Sequence, residues 1–257
     1  MYPIDLAGKK GIVLGVANER SIAWAIARVL AQAGARLALT YQDDRLKERV
    51  TRLANTLDDA LVIPCDAMDD EQIAGLFRSV KESFGDISFL VHSIAYANRD
   101  DLSGKFSETS REGFRVALEV SAYSLLPLVK HAALLMDGGG SVVTMTFQAS
   151  QRVYPGYNVM GTAKAALEHE VRQLAAEFGG QGIRLNAISA GPLETLAARG
   201  IHGFMDMRRR HAESAALKRN ISPDEVANTA LFLCSGLSSG ITGSIIHVDA
   251  GYHIMAV

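Results

Sequence analysis

A chain of 257 residues that is 48% hydrophobic and 21% charged can bury a sizeable core, and one α/β domain, residues 1 to 257, is expected. Its net charge of -2 and sequence pI near 6.4 give no general reason to expect nucleic acid or an anionic membrane as partner, so a charged partner must meet a local patch. The start, MYPIDLAGKK, lacks the basic opening and apolar run of a secretory signal, and no later stretch approaches the roughly 20 apolar residues of a spanning helix, which predicts a cytoplasmic protein.

Short β-branched runs alternate with longer helical patterns. KKGIVL precedes a helix from Ser21, RLALT one through Leu46 to Leu53, and LVIP one through Leu76 to Phe84. Such alternation predicts parallel strands. It continues with ISFLVH, a long helix around 111 to 136, SVVTMT, a helix from about 158 to 178, IRLNAIS and SIIHVD. The sum is a doubly wound, Rossmann-type sheet of about seven strands with helices on both faces. In the first helix Ser21 sits at the cap position, and Ile22, Ile26, Val29 and Leu30 form one apolar face. The stretch from about 193 to 220 is less regular, ends before a new cap at Ser222, and reads as a substrate lid. Cys65 and Cys234, the only cysteines, lie in apolar runs and read as structural, and no metal site is expected.

After the first strand, GVANERSIAWAIA places Gly15 where a tight turn is needed and a helix N-terminus where a pyrophosphate could meet its amides. The spacing of Gly15, Ser21 and Ala25 is a degenerate form of the usual glycine-rich fingerprint, so its position at the first strand-to-helix junction carries the reading. At the end of the second strand, TYQDD, the ribose contact falls to Gln42 or Asp43. That favours NADH, while Arg45 and Lys47 leave NADPH open. Cys65, Asp66 and Ala67 follow the third strand and His92 to Ala95 end the fourth, all at the carboxyl edge. Asp66 reads equally as a helix cap, and His92 as a satisfied buried imidazole rather than a catalytic group.

In GYNVMGTAK, Tyr157 and Lys164 are seven residues apart, nearly two helical turns, and share one helix face. A nearby ammonium favours the ionised form of a tyrosine, and lysine's donors suit ribose hydroxyls. Spacing alone is weak, because Tyr123 and Lys130 repeat it in the earlier long helix, with Pro127 between them, where packing is the expected role.

Together GVANERSIAWAIA, LALTYQ, PCDAMD, LVHSIAYA, GYNVMGTAKAALE, IRLNAISAGP, LETLA and HVDAGY resemble the bacterial NAD(P)H-dependent enoyl-acyl carrier protein reductases, a divergent branch of the short-chain dehydrogenase/reductase superfamily. The resemblance covers nearly the whole chain. Ordinary members of that superfamily carry Lys four positions after Tyr, but position 161 is Gly here, and the seven-residue spacing is this family's own. It implies hydride transfer from NADH, or NADPH, to the β-carbon of a trans-2-enoyl thioester in bacterial type II fatty acid synthesis. Tyr157 would hydrogen-bond the developing enolate oxygen and Lys164 would hold the nicotinamide ribose. Cofactor contacts implied by the resemblance are Gly15, Ser21, Ile22, Gln42, Asp66, Ala67, Ile94, Leu193 and Thr195, with Ala97 beside the acyl substrate. One position departs: the family commonly has a second tyrosine ten residues before the first, and here it is Phe147, which keeps the ring but cannot donate. Altered substrate affinity or chain-length preference is expected from it.

Arg208, Arg209 and Arg210 concentrate charge in the lid, either as a docking point for acyl carrier protein or as a solvated helix face. The resemblance implies a homotetramer, and the apolar end HVDAGYHIMAV suits a subunit contact as well as a packed last strand. Two other readings are a carbonyl-reducing short-chain dehydrogenase, opposed by the missing four-residue spacing, and a non-catalytic nucleotide-binding homologue, supported only by Phe147.

Overall fold

The computed structural model describes residues 4–195, 198 and 203–256. Its first half runs β1 (Lys10–Leu14), α1 (Ile22–Gln32), β2 (Arg36–Tyr41), α2 (Asp44–Ala54), β3 (Leu61–Pro64), α3 (Asp70–Phe84) and β4 (Phe89–His92). A short turn of helix α4 (Arg99–Leu102) leads to α5 (Arg111–Leu118) and α6 (Leu125–Ala133). The second half runs β5 (Gly140–Thr146), α7 (Asn158–Phe178), β6 (Ile183–Ala190), α8 (Phe204–Ser214), α9 (Pro223–Cys234) and β7 (Ile245–Val248).

All seven strands pair in parallel in the order β3-β2-β1-β4-β5-β6-β7, the doubly wound arrangement expected. Because successive strand residues point to opposite faces, Val13 of β1 joins one core while Ile12 and Leu14 join the other. In β4, Phe89 and Val91 part from Leu90 in the same way. The first face is covered by Ile26 and Leu30 of α1, Val50 and Leu53 of α2, and Val226 and Leu233 of α9. Ile73 and Leu76 of α3, Leu125 and Leu128 of α6, and Leu167 and Val171 of α7 cover the second. Residues Ala23 to Ala27 of α1 are all buried, a wider band than one amphipathic face, because α9 packs along α1 as well as on the sheet.

The long helix expected around 111 to 136 is not continuous. A π-helical turn, Glu119–Tyr123, separates α5 from α6. Ser121 explains the break: its hydroxyl accepts from the Tyr96 amide at 2.9 Å and donates to the Tyr96 carbonyl at 3.0 Å, splinting the chain after β4 to the widened turn. The α1 cap also differs. Ser21 holds the cap position but makes no side-chain bond to the helix amides. The reading of Asp66 as a cap gives way to Asp69, whose carboxylate accepts from the Glu71 and Gln72 amides at the head of α3.

At Ser222 the expected cap is a full capping box, with Ser222 accepting from the Glu225 amide, Glu225 accepting from the Ser222 amide, and Pro223 opening the helix. Replacing Ser222 with Ala removes one of those bonds and is expected to cost about 1 kcal/mol. A urea denaturation midpoint unchanged from wild type would contradict it.

Candidate active site

Leu14 and His92 lie level in the β1–β4 pair, and the chain leaves β1 and β4 toward opposite edges of the sheet, which opens a crevice at their carboxyl ends. Gly15 occupies that point with φ +98°, and a Cβ there would stand 2.0 Å from the Ser93 carbonyl oxygen. No other residue fits without separating the strands. Beyond it the turn is tied internally. Ser21 Oγ donates to the Asn18 carbonyl at 2.6 Å and accepts from the Ala17 amide at 3.4 Å, while buried Asn18 accepts from the Arg20 amide at 2.8 Å. Ser21 thus shapes the turn and leaves the first amides of α1, at Ile22 and Ala23, without an intrahelical partner. An anionic diphosphate meets donors of the right kind here.

Gln42 follows β2, exposed, and its amide nitrogen lies 3.4 Å from the Asp66 carboxylate. Asp43 caps α2 through the Arg45 amide and pairs with the Arg45 guanidinium, which holds its carboxyl below the usual range. Of the two ribose candidates Asp43 is therefore tied to its own helix and to Arg45, whereas Gln42 has, among the described residues, only its long bond to Asp66. Asp66 also accepts from the Met68 amide, and half-buried Ala67 sits beside it. Ile94 packs partly buried on the second core, at the end of β4.

Tyr157 stands at the N-cap of α7. Burial pushes its hydroxyl well above the ordinary tyrosine pKa, with no offsetting charge. Desolvation outweighs any pull of a nearby ammonium toward the ionised form, and Tyr157 is a neutral phenol, the donor that the resemblance implies. The Phe147 ring meets it edge-on, with centroids 5.1 Å apart, and leans on Tyr154 at 4.7 Å. Ala97 is buried in a small apolar cluster with Ala117, Val159, Met160 and Ala163, against which Tyr157 packs.

Lys164, two turns on, is 4% exposed and donates to the Met145 carbonyl at the end of β5, at 2.8 Å. Burial draws its pKa down to about 8, against an opposing pull from Glu168. Gly161, between Tyr157 and Lys164, is required by contact: a Cβ would lie 2.7 Å from the Ala149 carbonyl oxygen. A lysine at position 161 has no room unless the segment after β5 moves.

His92 is fully buried, with Nδ1 2.8 Å from Thr144 Oγ1 and Nε2 2.9 Å from Ser124 Oγ. Since Ser124 donates to the Val120 carbonyl, it accepts from Nε2–H, and Nδ1 accepts from Thr144. Burial first, then the charge of Lys164, bring His92 to a pKa of about 3. It is the satisfied, neutral imidazole expected. The second pair is separated from the site: Tyr123 closes the π turn and is exposed, as is Lys130 on α6.

Past β6, Leu193 is buried in the first core, and the Thr195 amide donates to the Leu193 carbonyl at 2.9 Å. Thr195 Oγ1 accepts from the Ala198 amide at 3.1 Å, which leaves its proton available to a ligand. Within the LETLA motif and the expected lid, residues 196, 197 and 199–202 lie outside the described residues. On α8, Arg208 pairs with Glu194 and Arg209 with Asp206, while exposed Arg210 has no ion pair among the described residues. His247, Asp249 and His253 gather within 4.8 Å near the C-terminus, but the imidazoles stack with planes 10° apart. Lone pairs in parallel planes do not converge on one metal position.

Glu168, an unremarked acid in the sequence, also belongs to this region. Buried to 4% exposure, it accepts from Thr146 Oγ1 at 2.8 Å and Ser150 Oγ at 2.6 Å, and its spacing of four from Lys164 was the available signal.

The strand order, the glycine turn at the β1–β4 junction, and a half-buried Tyr with a buried Lys on the helix after β5 define a Rossmann-type dinucleotide-dependent oxidoreductase. The sequence model of a family described as Enoyl-(Acyl carrier protein) reductase matches residues 15–253. A Bacillus cereus protein named enoyl-[acyl-carrier-protein] reductase [NADH] FabI is 49% identical over 97% of this chain and 98% of its own. The crystal structure of the Bacillus cereus reductase with NADP+ and indole naphthyridinone superposes with a TM-score of 0.96 at 48% identity, covering 98% of this chain and 99% of that one. The Anaplasma phagocytophilum reductase in complex with NAD gives 0.96 at 40% identity, covering 100% and 98%. The chain belongs to the enoyl-acyl carrier protein reductase family.

His92 sets an acid limit on stability. With a pKa near 6.5 unfolded and about 3 folded, it contributes stability that is present above pH 6.5 and lost as pH falls toward 3. Urea denaturation of His92→Gln at pH 7, 6, 5 and 4 should give a shallower fall than wild type; parallel curves would contradict this assignment.

Proposed function

We propose that this protein is an enoyl-acyl carrier protein reductase, reducing the C=C of trans-2-enoyl thioesters with NADH in type II fatty acid synthesis. The observation that carries the reading is the whole-chain match, at 49% identity, to a relative named for that NADH-dependent activity. When bound, the reduced nicotinamide supplies the hydride for the β-carbon. Negative charge then develops on the thioester oxygen, and the neutral Tyr157 phenol donates a hydrogen bond to it. Lys164 holds the nicotinamide ribose from its seat under Met145. Gly15, Ser21, Ile22 and Thr195 serve the diphosphate, Gln42 the adenosine ribose, and Asp66 and Ala67 the adenine. Ile94 and Leu193 close on the nicotinamide side.

Ala97 and Phe147 flank Tyr157 on the substrate side, with Phe147 filling space without a donor. Since Asp43 already holds Arg45, that arginine is less available to a 2′-phosphate, which supports NADH as the working cofactor. A carbonyl-reducing activity is disfavoured by Gly161, whose contact with Ala149 bars the commoner lysine position.

The one domain carries its lid at about 193 to 220. Acyl carrier protein docks on the lid helix, with Arg209 and Arg210 the accessible charges, because Arg208 is half-buried and bound to Glu194. A cytoplasmic homotetramer is the assembly the family relationship supports. Among the described residues no helix is long and apolar enough to cross a membrane.

Oxidation of NADH with crotonyl or longer trans-2-enoyl thioesters, and not with ketoacyl thioesters, is the expected result, with Tyr157→Phe lowering kcat about 100-fold. No oxidation of NADH or NADPH with any enoyl substrate would defeat the reading. Reversing charge at Arg209 and Arg210 should raise KM for a carrier-protein substrate and leave a short coenzyme A thioester unaffected; equal effects on both would remove the docking site from α8.

A further inference from the structure

Glu168 and Lys164 are both 4% exposed and lie one turn apart on α7, yet neither is anchored to the other. Each is fastened to the same end of β5. Lys164 Nζ donates to the Met145 carbonyl at 2.8 Å, and Glu168 Oε1 accepts from the hydroxyls of Thr146 at 2.8 Å and Ser150 at 2.6 Å. A carboxylate is retained in such a place only when hydrogen bonds and a nearby opposite charge compensate its desolvation. Between the two anchors runs the segment that brings the Phe147 ring to Tyr157 and the Ala149 carbonyl against Gly161.

The charges around Lys164 are few. His92, on β4, is neutral, and Tyr157, at the head of the same helix, is a neutral phenol. Glu168 alone raises the lysine's proton affinity, against burial that lowers it to about 8. Glu168 also acts electrostatically on His247 of β7, whose ring stacks at 3.9 Å on His253, itself bonded to Asp249 at 3.0 Å.

We propose that Glu168 is a positioning residue for the reaction: its buried carboxylate holds Lys164 as an ammonium for the ribose and clamps the 146–150 segment to α7. The proposal rests on the reading of Lys164 as the ribose clamp. It divides into a part carried by charge and a part carried by hydrogen bonds. Glu168→Gln separates them, because the amide oxygen still accepts from Thr146 and Ser150 while the charge is gone.

Dissociation constants for NADH, followed by its fluorescence from pH 6 to 9, test it. In the wild type, affinity is level at low pH and weakens as Lys164 deprotonates near pH 8. In Glu168→Gln that break moves down by about one pH unit, which weakens binding about three-fold at pH 7.5 and hardly at all at pH 6. Glu168→Asp, which restores the charge, returns the break toward its wild-type position. A purely structural role would shift the thermal midpoint without moving the break, and an unmoved break in a folded Glu168→Gln overturns the proposal. A wild-type break at or below about pH 7 overturns it too, whether or not the variant folds, since burial alone would then govern Lys164. A break that persists in Lys164→Met defeats the ribose-clamp reading and the proposal with it. A break lost in Lys164→Met but unmoved in Glu168→Gln defeats the proposal alone.

Discussion

The register of β1 on β4 is the constraint from which the rest of the site descends. With Leu14 level with His92, the backbone leaving β1 passes within contact distance of Ser93, and only a residue without a side chain fits at position 15. That contact sends the chain into the 16–21 turn and brings the head of α1 to the crevice. The same register buries His92, which must then find neutral partners, and Thr144 and Ser124 supply them. A charged imidazole there would compete with Lys164 for the little solvation the interior offers.

A second close approach fixes the other wall. Gly161 lets α7 sit against the Ala149 carbonyl, and this brings Lys164 under the end of β5 and Tyr157 against Phe147. The two glycines work alike: each removes a methyl group so that backbone can stand where a side chain would. The polar residues at the site are placed by these approaches, and their ionisation follows from how little water is left to them.

Much of this was legible in the sequence, for physical reasons. Buried parallel strands have compact β-branched signatures, and helices between them have clear starts, so all seven strands and the α7 limits at 158 and 178 agree with expectation. What was not legible depends on tertiary partners. The π turn exists because the Ser121 hydroxyl meets both polar groups of Tyr96, twenty-five residues away in sequence. Glu168 looks like an ordinary helix-surface acid until β5 is laid beside it. The strength of desolvation at Tyr157 was not legible either, because charge proximity can be read from spacing, whereas desolvation cannot. Whole-chain kinship stands on a firmer footing than any single motif, since the Tyr–Lys spacing also occurs at Tyr2–Lys9 and Tyr123–Lys130, and it is the Tyr157–Lys164 pair that lies on the helix after β5.

The π turn has a consequence for how this protein can change. One additional residue in a helix rotates everything after it by about 100° relative to an uninterrupted α-helix. Before the turn, Ala117 points into the apolar cluster around Tyr157; after it, Leu125, Leu128 and Ala132 point at the sheet. The insertion thus acts as a phase-shifter, letting one continuous stretch of chain serve two surfaces that a straight helix could not face together. The two halves are coupled by angle, so a single deletion between 119 and 123 would turn one of the two apolar faces away from its partner.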